Sequence, residues 1–375
     1  MTTLLRTPRL GAGLAVVAAA TLALTACAGD APAAGDSKAA TATSVADFGT
    51  FADLEAAAKK EGALNVIALP RDWANYGAVI DAFKAKYPEI TVNESSPDIS
   101  SAEEIQAAKT NEGLDTAPDV FDLGLTVALQ NTDVFAPYKV QTWDDIPDAL
   151  KESTGLFVGD YGGYMSIGYD SSKFPEPESL DDLLGSDYKA SVAINGDPTQ
   201  AGAAFAAVGL ATVQSGGDLD DFQPGIDFFS ELNKAGNMLK LDVTSATIAS
   251  GETPVVFDWD YLNATHVADN KAWKVRVFPG TGYAGYYNQA VNKNAPHPAA
   301  ARLWQEFLYS DEGQNLWLKG GARPARMEAM TAAGTIDADA AAALPAAPTT
   351  VVVPSEAQST AAGTLLGEKW AAAVQ

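Results

Sequence analysis

The feature that most constrains this chain is an alternation of strand and helix that begins near Ala63. "ALNVIAL" is a short apolar strand. The helix "NYGAVIDAFKAKYPEI" then sets Tyr76, Val79, Ile80, Phe83 and Tyr87 at helical spacing before Pro88 ends the run. "ITV" follows as a second strand, and Ser101 with Glu104 in "SAEE" reads as a capping box for the next helix. "DVFDLG" is a third strand and "LTVALQNTDVF" the helix after it. This βαβαβ order predicts an α/β fold with a mostly parallel sheet flanked by helices.

Near Tyr161 the character changes. "GDYGGYMSIGYD" is rich in glycine and tyrosine and runs into a strand, as expected where the chain crosses into a second domain. A second α/β series follows, with the helix "LDDLLG", the strand "SVAI" and the segment "NGDPTQAGAAFAAVGLATV". There Asp197 is placed to cap a helix whose first residue is Pro198. The helix "IDFFSELNKAG" and the strands "TPVVFDW" and "KVRVF" come next, and "GTGYAGYYNQAVNKNAPHP" reads as the crossing back. Helices "PAAARLWQEFLYS" and "SDEGQNLWLKGG" precede an alanine-rich tail. At 375 residues, two domains are expected.

The first residues address export. "MTTLLRTPRL" carries Arg6 and Arg9 and no acid, and an apolar, small-residue run leads to Cys27, the one cysteine of the chain. Leu24-Thr25-Ala26-Cys27 resembles a bacterial lipobox, in which the cysteine is lipidated and becomes the new N-terminus. A single cysteine excludes an intrachain disulfide. Loss of two arginines with residues 1–26 would take the net charge from −24 to −26. Such a charge argues against nucleic-acid binding, which needs basic patches. After Cys27, "AGDAPAAGDSKAATATS" is small, polar and aperiodic, and reads as a flexible tether.

The stretches "KKEGALNVIA", "AFKAKYPEITV", "PDVFDLG" and "NKNAPHPAAARLWQEFLYSDEGQNLW", in that order between Leu54 and Pro324, resemble the extracellular solute-binding proteins of bacterial ABC importers. More narrowly, the chain resembles the type II branch that holds polyamine, ferric-iron, thiamine and phosphonate binders. The resemblance implies a two-lobed type II periplasmic-binding-protein fold with two hinge crossings, closing on a solute and presenting it to a permease with a cytoplasmic ATPase. The expected organisation is a signal peptide over 1–26 and a tether over 27–48. Residues 49–160 with 283–325 would form lobe 1 and residues 161–282 lobe 2, with a helical tail over 326–375 packing on lobe 1. A lipid-anchored monomer at the outer face of the cell membrane is expected, without cofactor or metal.

Ligands of open α/β sheets sit beyond the carboxyl ends of the strands. Four loops qualify. The first offers Arg71, Asp72, Trp73 and Tyr76, and the first crossing Tyr161 and Tyr164. "NGDPTQAG" offers Asp197, Thr199, Gln200 and the free N–H groups of a helix N-terminus. "FDWDYLN" offers Asp258, Trp259, Asp260 and Tyr261. On a strand, the two carboxylates would share one face about 7 Å apart. Asp72 and Asp197 also suit helix capping, Arg71 a solvated loop, and Trp73 and Trp259 a core, while His266 and His297 read as structural.

By family position, "FDWDYLN" falls where ferric-iron binders carry adjacent tyrosines; here only Tyr261 is present, and the pair Tyr286-Tyr287 lies later, on a strand that sends its two side chains to opposite faces. Aspartates interleaved with tryptophan and tyrosine resemble an amine cage, where carboxylates neutralise ammonium and rings hold the methylenes. A cationic amine or polyamine is therefore the expected solute, with a phosphonate, another organic anion or ferric iron as alternatives. The motifs of hydrolases, zinc proteases, nucleotide-binding loops and dithiol redox proteins are missing from the sequence, so no enzyme activity is expected.

Overall fold

Apolar runs alternating with helical spacing produce the expected order from Ala63 onward. The structure, a computed structural model, describes residues 37–374; the export signal and Cys27 lie outside the described residues. Eleven strands are present among them. They are β1 (Ala63–Ile67), β2 (Thr91–Ser95), β3 (Val120–Gly124), β4 (Phe135–Ala136), β5 (Val158–Asp170), β6 (Val192–Ile194), β7 (Val255–Trp259), β8 (Trp273–Arg276), β9 (Thr281–Asn292), β10 (Arg323–Pro324) and β11 (Thr350–Val352).

The two glycine- and tyrosine-rich segments become the longest strands, β5 and β9, which pair antiparallel with each other. The first half of β5 faces β9 and β10, and its second half pairs with β7 and β8. β9 in turn carries β3, β4 and, in parallel, β11. Parallel pairing survives in β1–β2, β6–β7 and β9–β11. The sheet is thus mixed, because strands that cross the molecule must run against the βαβ units they join. Both crossings are buried along much of their length.

Three local expectations shift. The capping box is Ser100 with Glu103, one residue earlier than Ser101 and Glu104; Ser100 N and Oγ both donate to the Glu103 carboxylate at 2.8 Å. Glu104 turns inward and accepts from the backbone N–H of Asp122. The helix expected to open at Pro198 spans Gly202–Gln214. Asp197 instead folds its own loop, accepting from Thr199 N at 2.8 Å and Thr199 Oγ at 2.6 Å.

The segment expected to be a tether up to residue 48 is docked from Ser37 on. Helices Ser37–Thr41 and Val45–Phe48 lie against the body, and the buried Arg302 donates to the carbonyls of Ala42 at 2.7 Å and Ala40 at 3.1 Å. A buried guanidinium needs acceptors, and these carbonyls supply them. At the other end, helix Glu356–Ala373 packs on helix Leu125–Gln130 and also on helix Gln223–Ala235, where Trp370 meets Phe229 edge-on at 5.5 Å. The tail therefore packs on two helices, one from within residues 49–160 and one from within residues 161–282.

Candidate functional site

Strands β3, β5, β7 and β9 and the loop after β1 converge on one buried cluster of rings and carboxylates. Tyr161, on the first crossing, is its centre. Its hydroxyl donates to Asp122 Oδ2 at 2.8 Å and accepts from Trp73 Nε1 at 2.9 Å. Its ring lies stacked with Tyr287 at 5.7 Å and edge-on to Tyr76 and Tyr261, each at 5.9 Å. Gln289 Nε2 reaches Tyr76 Oη at 2.9 Å, Asp160 Oδ2 at 2.9 Å and Asp122 Oδ1 at 3.1 Å.

The carboxylates of this cluster have neutral partners only. Burial raises the pKa of Asp122, and burial followed by the charge of Asp122 raises that of Asp160. Asp258 accepts from Asn195 Nδ2 at 2.9 Å and from the N–H of Trp259, and burial pushes its carboxyl up to about 7. Two residues on, Asp260 differs. It pairs with Arg323 at 2.8 Å and accepts from Tyr164 N at 3.0 Å, and the Arg323 guanidinium lies 4.0 Å over the Tyr164 ring. Gly163 lets Asp260 approach, since a Cβ there would stand 2.3 Å from its Oδ1.

The loops named from sequence therefore separate into two groups. Trp73, Tyr76, Tyr161, Asp258, Trp259 and Tyr261 come together at or beside the cluster. Arg71, by contrast, is bound to Asp81 at 2.6 Å and to Glu94 at 3.0 Å. Asp72 accepts from Ser245 Oγ at 2.7 Å at the surface. Asp260 and Tyr164 are engaged with Arg323. The N–H groups of Thr199, Gln200 and Ala201 all bond Asp197. Asp122, Asp160, Gln289 and Tyr287 were not among the candidates. Of these, only Asp122 carried a signal, as an aspartate set between apolar residues in "DVFDLG".

Beside the cluster lies a cavity of about 450 Å³. Trp259 and Tyr287 form a wall common to both, and Thr199 and Gln200 stand at the cavity. The N-termini of helices Leu125–Gln130 and Gly202–Gln214 meet there: a Cβ on Gly124 would stand 2.9 Å from the Gly202 Cα. Burial, then the charges of Asp122 and Asp258, hold the Tyr287 phenol well above its ordinary pKa. Among the described residues, no group of three or more His, Cys, Asp or Glu side chains is arranged to hold a metal ion.

A two-lobed α/β body built on two crossing strands is the type II periplasmic-binding-protein fold, and solved structures share it. AfuA from Actinobacillus pleuropneumoniae, with fructose-6-phosphate bound, is 16% identical with a TM-score of 0.66, over 84% of this chain and 98% of its own. A periplasmic thiamin binding protein is 19% identical with a TM-score of 0.64, over 84% and 96%. A GABA receptor is 17% identical with a TM-score of 0.61, over 83% and 97%. Comparison with curated proteins finds no match. The profile of the bacterial extracellular solute-binding proteins, SBP_bac_6, matches residues 116–351, and the chain belongs to that family.

Proposed function

We propose that this chain is the solute-binding protein of an ABC importer and that its solute is a small cationic amine. Residues 49–160 with 283–325 act as one lobe and residues 161–282 as the other, closing on the solute and presenting it to the permease. Cys27, lipidated after export, holds the protein at the outer face of the membrane.

One observation carries the choice of solute: Asp122, Asp160 and Asp258 are buried among aromatic rings with only neutral hydrogen-bonding partners. An ammonium group would supply the missing charge, and Tyr161, Tyr261, Tyr287 and Trp259 offer ring faces for its methylenes. Two of the groups considered for an anion are already engaged, Arg71 by Asp81 and Glu94, and the N–H groups of Thr199, Gln200 and Ala201 by Asp197. Relatives of this fold bind amine-bearing solutes, thiamin and GABA among them.

A thermal-shift panel of amines, organophosphonates and ferric complexes tests the reading. A binder gains RT ln(1 + [L]/Kd) of stability. Stabilisation by amines and by neither of the other classes is expected; stabilisation by an organophosphonate alone would reverse the choice of solute.

A further inference from the structure

Helix Glu356–Ala373 rests on two bodies at once, on helix Leu125–Gln130 from residues 49–160 and on helix Gln223–Ala235 from residues 161–282. The two attachments differ in kind. Toward residues 161–282, Trp370 meets Phe229 edge-on at 5.5 Å, Gln358 Nε2 donates to Asp220 Oδ1 at 2.8 Å, and Lys369 Nζ donates to Gln223 Oε1 at 2.5 Å. The strand that leads into the helix, β11, pairs in parallel with residues 281–283 at the start of β9. A Cβ on Gly282 would stand 2.3 Å from Pro348 Cγ, so that strand is seated closely. Toward residues 49–160 the seat is a close approach without side-chain length: a Cβ on Gly363 would stand 2.8 Å from Thr126 Cγ2 and 3.3 Å from Gln130 Nε2.

The same two bodies meet directly at Gly124 and Gly202, and through the hydrogen bond from Ser245 Oγ to Asp72 Oδ2 at 2.7 Å. These direct contacts are slight, since the glycines bring no side chains and Asp72 and Ser245 are exposed. The C-terminal helix, by contrast, buries Leu366 and Trp370 and supplies Glu356 and Ser359 to the wall of the cavity, opposite no single lobe but beside both Leu125 and Phe205. A hinge rotation that parts the lobes cannot carry one continuous helix with both of them. One attachment has to break, and the side held by a strand ladder and two side-chain hydrogen bonds has more to lose.

Resting on the two-lobe reading above, we infer that the C-terminal helix is a strap. It travels with lobe 2 and fastens to lobe 1 only when the lobes are closed, by seating Gly363 on Thr126. Opening of the lobes unfastens it, and closure refastens it and completes the cavity wall. The tail is thereby part of the closing device rather than a fixed extension of lobe 1.

The test is a reversible lock. In a full chain carrying Cys27→Ser, so that no other thiol competes, Thr126→Cys and Gly363→Cys set two thiols within reach of a disulfide. Small-angle scattering of this chain without solute is recorded oxidised and again after dithiothreitol. The oxidised form should be the more compact, by about 1 Å in a radius of gyration of roughly 20 Å for a folded chain of this size, and reduction should release it. Both curves come from one polypeptide, so a folding defect of the variant cannot produce a reversible difference. Failure of the pair to oxidise would overturn the seating of Gly363 on Thr126. Equal curves would overturn the strap, and the wild-type chain with an amine then separates the two readings: compaction on binding means that the lobes close without it, and no compaction means that lobe closure fails as well.

Discussion

Asp258 and Asp260 stand two residues apart at the junction of β7 and the following helix, and only Asp260 has a cation: Arg323, at 2.8 Å. Their roles diverge for that reason. Asp260 is neutralised within the fold and also orders the backbone of Tyr164. Asp258, with Asn195 and a backbone N–H as partners, has no cation beside it to hold its charged form, and burial raises its pKa.

Substitution should expose the difference. Asp258→Asn is expected to lower amine affinity by at least about thirtyfold, the scale for truncating one partner of a buried charge pair. The melting temperature of the empty protein should hold or rise, because an amide is easier to bury than an unpaired carboxylate. Asp260→Asn strands the Arg323 guanidinium and should destabilise by about 3–5 kcal/mol. Urea unfolding and titration of both variants distinguish the two effects.

The same carboxylates predict a pH dependence. Asp122 and Asp258 are held by burial above their unfolded pKa, so between about pH 4 and 7 the folded chain binds more protons than the unfolded one. Stability of the empty protein should therefore fall as pH rises through that window. Affinity for an amine that stays charged should move the opposite way, rising by about tenfold per pH unit for each carboxylate that must ionise. Melting curves and titrations at pH 5.5, 6.5 and 8 check both slopes.

Much of the fold was legible because periodicity is local. The strand at Ala63, the helix at Tyr76 and the two crossings follow from spacing and glycine content in short windows. The candidate cluster was legible in part, since the loops read from sequence include Trp73, Tyr161 and Asp258, which the fold brings together. What sequence could not give is pairing over long separations. Arg323 meets Asp260 from 63 positions away, and Gln289 reaches Asp122 across 167. The docking of residues 37–48 was hidden for the same cause, because their acceptors serve Arg302, some 260 positions on. Small, polar composition alone reads as tether.

The close approach of the two helix N-termini depends on two glycines. A Cβ on Gly124 would stand 2.9 Å from the Gly202 Cα, inside van der Waals contact. Gly124→Val should hold the two helix N-termini apart, weaken the solute by about tenfold or more, and lower the melting temperature of the empty protein, since such overpacking costs about 1–3 kcal/mol. Small-angle scattering with and without amine should show compaction in the wild type and none in the variant.

The proposed anchoring rests on Cys27. In a bacterial host, Cys27→Ser should shift the protein from the detergent phase to the aqueous phase on Triton X-114 partition while leaving amine affinity unchanged. Aqueous partition of the wild type would remove the lipid anchor.

Calorimetric titration of the full chain and of Asp258→Asn at pH 8, with tyramine, spermidine and 2-aminoethylphosphonate, bears on the binding of a cationic amine without intermediate assumptions. Saturable binding of at least one of the two amines, lost or weakened at least about thirtyfold in Asp258→Asn, is the expected result. Binding of the phosphonate alone, or an amine affinity that Asp258→Asn leaves unchanged, would contradict it.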